Sequence, residues 1–218
     1  MTMNRRWVLA SSNSGKLREF RHALSPLLTA QGVELIAQSD LGIAGADEPH
    51  DTFTDNALAK ARHASRASGC PALADDSGLC VSALGGAPGV RSARYWKDQR
   101  DSQGATLRAQ LDALPLDEAN WRFLLSRLTS ASPAQFRAVI VWVQSAEDPH
   151  PIVAHGVWNG EVTGEVRGEQ GFGYDPIFFD VQLSKMAAEL SVHEKQRVSH
   201  RGAALRALMD QLALRNRA

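Results

Sequence analysis

WVLASSNSGKLREFRHALSPLLTAQGVELIA, residues 7–37, is the stretch from which the fold class follows. The apolar run Trp7–Ala10 is typical of a buried strand, and Val33–Ala37 is typical of a second one. Between them, four apolar residues recur at helical spacing: Leu17, Phe20, Leu24 and Leu27. A strand, a helix and a strand in this order predict a βαβ unit, in which helices pack on a sheet.

The rest of the chain continues this alternation of helices and strands. Thr52 and Asp55 form an N-cap pair for an Ala-rich helix that extends to Ser68, in which Asn56 and Lys60 would share a face. Further strands are predicted at 72–75, 79–83, 136–143, 152–158 and 162–166, and further helices at 104–129, with a break at Pro115, and from about His200. No linker is long enough to separate independent domains, so we predict one α/β fold with a mixed sheet, in two lobes.

Composition excludes several classes of protein. Lys plus Arg and Asp plus Glu both count 24, so the net charge of zero predicts no bulk attraction to nucleic acid or to an anionic membrane. No apolar run approaches 18 residues, and the run Trp7–Ala10 is too short for a signal peptide. Cys70 and Cys80 have neither metal-site nor disulfide-framework spacing, so we expect reduced thiols and a cytoplasmic protein.

Asp75 and Asp76 are the strongest local indication of chemistry. The sequence ADDSGL, residues 74–79, predicts a sharp turn at Ser77 between two short strands. Two adjacent carboxylates at a strand end would raise each other's pKa, and a divalent cation with oxygen ligands would relieve that cost. Asp-Ser-Gly is equally typical of an ordinary hairpin turn.

The segment SSNSGK, Ser11–Lys16, joins the first predicted strand to the first helix. Backbone N–H groups at a helix start, together with the charge of Lys16, favour an anion. The segment lacks the first Gly of a Walker phosphate loop and has Leu17 in place of its hydroxyl residue, so we do not predict a Walker-type NTPase. Asn13 and Lys16 are equally compatible with an ordinary turn and helix start.

Two further segments carry groups that could bind a nucleobase. GFGYDP, residues 171–176, places Phe172 and Tyr174 on a Gly-flanked loop, where they could stack on a flat ligand or close over the core. SHRG, residues 199–202, begins the last helix, where Arg201 could donate to an acceptor edge or simply be exposed at the helix start.

The order of the motifs closely resembles that of the inosine/xanthosine triphosphate pyrophosphatase family, over residues 7 to about 210. The motifs are SSNSGK, then TFTDNALAKA, then ADDSGL with LGGAPGVRSARY, then GFGYDPIFF and SHRGAAL. The resemblance implies one domain over 1–218 with a long mixed central sheet, and two lobes around an active-site cleft. It also implies a homodimer, a requirement for Mg²⁺, and hydrolysis of the non-canonical purine nucleotides ITP, dITP and XTP to the monophosphate and pyrophosphate.

The same resemblance implies roles for individual residues. Asp76 matches the catalytic acidic residue and metal ligand, Glu48 the second metal-linked carboxylate, and Lys60 a catalytic lysine that supports the phosphates. The residues implied to contact the substrate are Ser11, Ser12, Asn13, Ser14, Gly15, Lys16, Ser77, Phe172, Gly173, Tyr174, Asp175, Lys195, His200 and Arg201.

Two departures from the family pattern keep alternatives open. Arg91 stands where the family usually has Tyr, and residues 97–119 look longer than the usual linker. A pyrophosphatase for other modified-base nucleotides is therefore a second prediction. A nucleotide-binding sensor without turnover is a third, although the joint presence of the two carboxylates and the two lysines argues against it.

Overall fold

In the computed structural model, residues 5–215 are the part of the chain that the structure describes, and they alternate between strands and helices. The strands are β1 (Arg5–Leu9), β2 (Val33–Ala37), β3 (Ala72–Val81), β4 (Ser132–Val143), β5 (Ile152–Val162), β6 (Phe178–Asp180) and β7 (Lys185–Met186). The helices are α1 (Ser14–Gln31), α2 (Phe53–Ser68), α3 (Tyr95–Gln99), α4 (Ala105–Asp112), α5 (Leu116–Ser126), α6 (Val192–Val198) and α7 (His200–Arg215). None of these helices has the length and hydropathy needed to cross a membrane.

The strands form one mixed sheet in the order β2-β1-β3-β4-β5-β6-β7. β1 is parallel to both β2 and β3, with Val8 opposite Ile36, whereas β6 is antiparallel to β5 and to β7. The βαβ prediction is confirmed by β1, α1 and β2, and the break predicted at Pro115 separates α4 from α5. The predicted α/β class with a mixed sheet is therefore confirmed.

The chain divides into two compact units, of which the first contains residues 5–76, 138–156 and 200–215 of the described part. On one face of its strands, Leu73 packs with large residues of α1 and α7, such as Phe20. On the other face, Ala74 packs with small residues of α2, such as Ala57. Because successive side chains of a strand point to opposite faces, neighbouring residues of β3 alternate between these two apolar layers.

The second unit contains residues 77–137 and 157–199. Its core is rich in aromatic pairs: the rings of Trp96 and Phe123 lie 5.3 Å apart, and those of Phe136 and Phe178 lie 4.6 Å apart. Such pairs contribute about 0.5–1.5 kcal/mol beyond the area they bury. Phe123 lies on α5, so this core fixes α5 firmly within the unit. The cleft implied by the family resemblance stays a prediction.

The structure corrects two predicted elements. Residues 72–75 and 79–83 are not separate strands around a turn, because β3 runs without interruption through Asp75, Asp76 and Ser77. Eight of its ten residues are buried, so the stretch is held by neighbours on both faces, and this outweighs the turn preference of Asp-Ser-Gly. The extension of β5 over 162–166 is also wrong: the strand ends at Val162, and residues 164–172 are exposed.

Candidate active site

Asp75 and Asp76 point to opposite faces of the sheet, because they are consecutive in β3. Burial tends to raise the pKa of Asp75, but the charges of Lys16 and Arg201 outweigh it and hold that pKa well below its ordinary value. Burial raises the pKa of Asp76, and the negative charge of Glu48 adds to this, against an opposing effect of Lys60. The predicted rise is therefore wrong for Asp75, whose pKa is lowered, and the rise at Asp76 comes mainly from burial; the two aspartates have different hydrogen-bond partners.

Asp76 lies on the α2 face, where one lysine binds two carboxylates. Lys60 Nζ donates to Asp76 Oδ1 at 3.1 Å and to Glu48 Oε1 at 2.9 Å. Asn56, one helical turn before Lys60 on α2, donates from Nδ2 to Asp76 Oδ2 at 3.3 Å. We call these four residues the carboxylate–lysine cluster. Burial lowers the pKa of Lys60, but the neighbouring carboxylates more than compensate, so the net pKa is raised and the ammonium is retained.

Asn56 also fixes the loop that carries Glu48. Its Oδ1 accepts from the N–H of His50 at 3.0 Å, and its Nδ2 donates to the carbonyl oxygen of His50, also at 3.0 Å. Asn56 is fully buried, and its amide links the loop to the strand that bears Asp76. Asn56 was not among the predicted site residues, although its spacing of four from Lys60 was the signal that could have identified it.

The chemistry of the cluster suits a hard divalent cation. Glu48 and Asp76 offer only carboxylate oxygens, and burial together with their mutual repulsion leaves them in need of positive charge. Within residues 5–215, no group of three or more His, Cys, Asp or Glu side chains could hold a metal ion. Two carboxylates still fit Mg²⁺, because that ion is usually bound by one or two protein carboxylates and completes its shell with water and substrate phosphates.

Asp75 lies on the opposite face and joins two cations. Its Oδ1 accepts from Lys16 Nζ at 3.0 Å, and its Oδ2 accepts from Arg201 Nη2 at 3.2 Å. Arg201 Nη1 also donates to Glu19 Oε2 at 3.3 Å. We call these four residues the Asp75 network. The side chains of Asp75 and Arg201 are 1% and 5% exposed, whereas that of Lys16 is 24% exposed. Lys16 is therefore the more exposed of the two cations, while Arg201 is buried in an ion-pair network.

The start of α1 is closed by its own cap. Asn13 Oδ1 accepts from the N–H groups of Gly15 and Lys16, at 2.8 and 3.1 Å. The expected open row of N–H donors is therefore partly satisfied within the protein. Ser11 Oγ accepts from Asn13 N–H at 3.1 Å, Ser12 is exposed, and the side chain of Ser14 lies outside the described atoms. The binding of phosphate by this segment stays a prediction.

The second unit carries the aromatic loop, which we define as residues 171–175. The structure separates its two aromatic residues: Phe172 is 56% exposed, whereas Tyr174 is buried and donates from its hydroxyl to the carbonyl oxygen of Ser92 at 2.9 Å. Asp175 Oδ2 accepts from the N–H of Phe172 at 2.8 Å and also binds Lys195 Nζ. A side chain at position 171 would overlap Asp175, which explains the glycine there. Of the two aromatic residues in this loop, Phe172 is therefore the exposed one, and Lys195 Nζ lies 5.3 Å from its ring centroid.

Ser77 and His200, two further residues predicted to contact the substrate, lie in β3 and at the start of α7. Ser77 is half-buried in β3, directly after Asp76. His200 is buried at the first position of α7, next to Arg201.

Comparison with known proteins supplies the family context. Residues 7–211 match the model of the Ham1 family. The dITP/XTP pyrophosphatase of Nitrosomonas europaea is 50% identical over 208 residues, covering 94% of this chain and 93% of that protein. The dITP/XTP pyrophosphatase of Ralstonia nicotianae is 52% identical over 213 residues, covering 96% and 98%. A solved HAM1 protein from Coxiella burnetii superposes with a TM-score of 0.77 at 40% identity, covering 96% and 98% of the two chains.

Proposed function

We propose that this chain, which belongs to the Ham1 family, hydrolyses non-canonical purine nucleoside triphosphates such as dITP and XTP to the nucleoside monophosphate and pyrophosphate. The observation that carries the proposal is the carboxylate–lysine cluster, in which Lys60 binds both Asp76 and Glu48. It occurs in a chain about half identical, over nearly its whole length, to relatives named for this activity.

We propose Mg²⁺ as the cofactor, with Asp76 and Glu48 as its protein ligands. When bound, a divalent cation neutralises phosphate charge and makes a bound water more acidic. The protein supplies the orientation, because Asn56 fixes both the loop of Glu48 and the carboxylate of Asp76. Lys60 adds positive charge beside the two carboxylates and can share the charge of the phosphates.

Asp76 is proposed to orient or deprotonate the water that attacks the α-phosphorus. An ordinary carboxylate is a weak base, and burial raises the pKa of Asp76, which moves it towards a stronger base. Lys16 is proposed to bind the triphosphate, since its side chain is the more exposed of the two cations in the Asp75 network. Arg201 is proposed to act through that network, because its guanidinium donates to Asp75 and Glu19.

The aromatic loop is proposed to bind the base. The exposed ring of Phe172 can stack on a purine, an interaction of about 1–3 kcal/mol. Hypoxanthine and xanthine carry a 6-keto acceptor, which the ammonium of Lys195 can donate to, whereas adenine carries a 6-amino donor. A donor placed opposite a donor is left unpaired, and such mismatches discriminate by up to about 10⁴-fold. We also propose a homodimer, as the family resemblance implies, and a cytoplasmic location, from the spacing of Cys70 and Cys80.

Replacement of Asp76 tests the assignment of the chemistry. Asp76→Asn should lower kcat for XTP in the presence of Mg²⁺ by orders of magnitude, while circular dichroism at the assay temperature shows that the variant is folded. Asp210→Asn, an exposed aspartate on α7, removes the same charge and should retain wild-type turnover. Wild-type kcat in Asp76→Asn would show that another group activates the water.

A further inference from the structure

Two side chains of α5, one helical turn apart, form hydrogen bonds to two neighbouring segments of the same unit. Asp117 Oδ2 accepts from the N–H of Gly173 in the aromatic loop at 3.0 Å. Asn120 Oδ1 accepts from the N–H of Trp96 at 2.8 Å, and its Nδ2 donates to the carbonyl oxygen of Ala93 at 3.2 Å. Residues three apart lie on the same face of a helix, so a single face of α5 makes all three hydrogen bonds.

The segment that Asn120 binds is also hydrogen-bonded to the aromatic loop. The hydroxyl of Tyr174 donates to the carbonyl oxygen of Ser92, which directly precedes Ala93 in the chain. Two consecutive loop residues are therefore connected to α5: Gly173 directly through Asp117, and Tyr174 indirectly through this segment. The core of the unit fixes α5 through Phe123, so the loop is tied to a rigid element.

The aromatic loop needs such an anchor because of its glycines. Gly171 and Gly173 have φ values of 85° and 61°, a region that glycine enters readily and other residues rarely. Phe172 stands between them with more than half of its side chain exposed, and its ring lies 5.3 Å from Lys195 Nζ. Two flexible neighbours would let the ring sample many orientations, and ordering it on binding would cost free energy.

We propose that Asp117 is a positioning residue that holds the Phe172 ring in the orientation that receives the base, an inference that rests on the proposed function. Asp117 acts through Gly173, on the backbone next to Phe172. A typical hydrogen bond is worth a factor of about 3 to 10 in an equilibrium, and we use this range because the bond between Gly173 and Asp117 is exposed to solvent. Its loss should weaken nucleotide binding and leave the chemical step unchanged.

Three single variants test the role by steady-state kinetics with XTP and Mg²⁺. Asp117→Ala should raise KM by about threefold to tenfold with kcat within twofold of the wild type. Asp117→Asn should keep the wild-type KM, because its amide oxygen can accept from Gly173. Glu118→Ala is the matched control: Glu118 is the other acid of the first turn, binds Arg122 at 2.8 Å, and should also keep the wild-type KM.

An unchanged KM in Asp117→Ala would overturn the proposal. So would an equal rise in Glu118→Ala, which would indicate a general effect of charge at the helix start. A double-mutant cycle adds a sharper test: Phe172→Ala raises KM, and adding Asp117→Ala should raise it no further. Independent, multiplicative effects would show that Asp117 does not act through Phe172.

Amide hydrogen exchange separates this proposal from the proposed function. The N–H of Gly173 should exchange faster in Asp117→Ala than in the wild type or in Asp117→Asn, whether or not any nucleotide is hydrolysed. If the wild type releases no pyrophosphate, the proposed function is refuted, but the exchange measurement still shows whether Asp117 holds Gly173 in place. Equal exchange at Gly173 in all three proteins would refute the anchor even in an active enzyme.

Discussion

Replacing Asp75 by Asn should destabilise the protein far more than breaking a shorter but exposed ion pair. Asp75 accepts from Lys16 Nζ at 3.0 Å and from Arg201 Nη2 at 3.2 Å, with 1% of its side chain exposed. The variant keeps the size and an acceptor oxygen but removes the charge. It leaves Arg201, whose side chain is 5% exposed, without its main counter-charge.

The structure sets the expected magnitude. Removing one partner of a buried ion pair typically costs about 3–5 kcal/mol. Here Arg201 keeps Glu19, and Lys16 is accessible enough to regain water, so we expect a loss of about 2–4 kcal/mol in the free energy of unfolding. The matched control is Glu147→Gln. Its pair with Arg66 is shorter, at 2.6 Å, but the two side chains are 80% and 62% exposed, so we expect a far smaller loss than in Asp75→Asn.

Urea unfolding at neutral pH, followed by tryptophan fluorescence, measures both values. A loss below about 1 kcal/mol in Asp75→Asn, or an equal loss in Glu147→Gln, would refute the reasoning that burial decides the energy. The pH dependence gives a second check. The pKa of folded Asp75 lies below the ordinary value of 3.8, so its stabilisation is complete above that pH and declines as the pH falls below it. The difference between wild type and variant should shrink only in that acid range.

Three further outcomes follow from the geometry. Lys60→Met should lower the free energy of unfolding by about 2–4 kcal/mol, because the carboxylates of Asp76 and Glu48 lose the cation that they share. Mg²⁺ should then raise the melting temperature more in this variant than in the wild type. Gly156→Ala should lower the free energy of unfolding by about 3 kcal/mol or more, since the added Cβ would overlap the backbone of α7. The control Gly104→Ala has open space around the added Cβ, so thermal unfolding should show a loss of less than about 1 kcal/mol. Removal of divalent cations with EDTA should abolish pyrophosphate release without changing the circular dichroism spectrum, and added Mg²⁺ should restore it; persistent activity in EDTA would contradict the assignment of a metal to Asp76.

The α/β fold could largely be predicted because its signals are local. Apolar spacing located α1, and the predicted cap at Thr52 and end at Ser68 match the two ends of α2. β3 could not be predicted in one piece, because Asp75 to Gly78 has the composition of a turn. What makes the segment a strand is burial on both faces, which depends on elements from distant parts of the chain.

Three members of the carboxylate–lysine cluster were predicted from the sequence, but Asn56 and the pairings of the charged residues were not. The structure brings Glu48, Lys60 and Asp76 together, as the family resemblance implied, and their roles stay predictions. Sequence alone could not show that Asp75 and Asp76 point to opposite faces of the sheet. That inference needs a continuous strand, in which side chains alternate between the two faces, and the sequence predicted a turn there. Nor could it show that Arg201 binds Asp75, a partner 126 residues away in the chain.

The identity of the phosphate product tests the central claim most directly. Wild-type protein with Mg²⁺ and XTP, followed by ³¹P NMR, should give pyrophosphate and the monophosphate in equal amounts, and dITP should behave alike, whereas dATP should turn over far more slowly. Release of orthophosphate and a diphosphate would contradict attack at the α-phosphorus, and equal turnover of dATP would contradict selection for the 6-keto group.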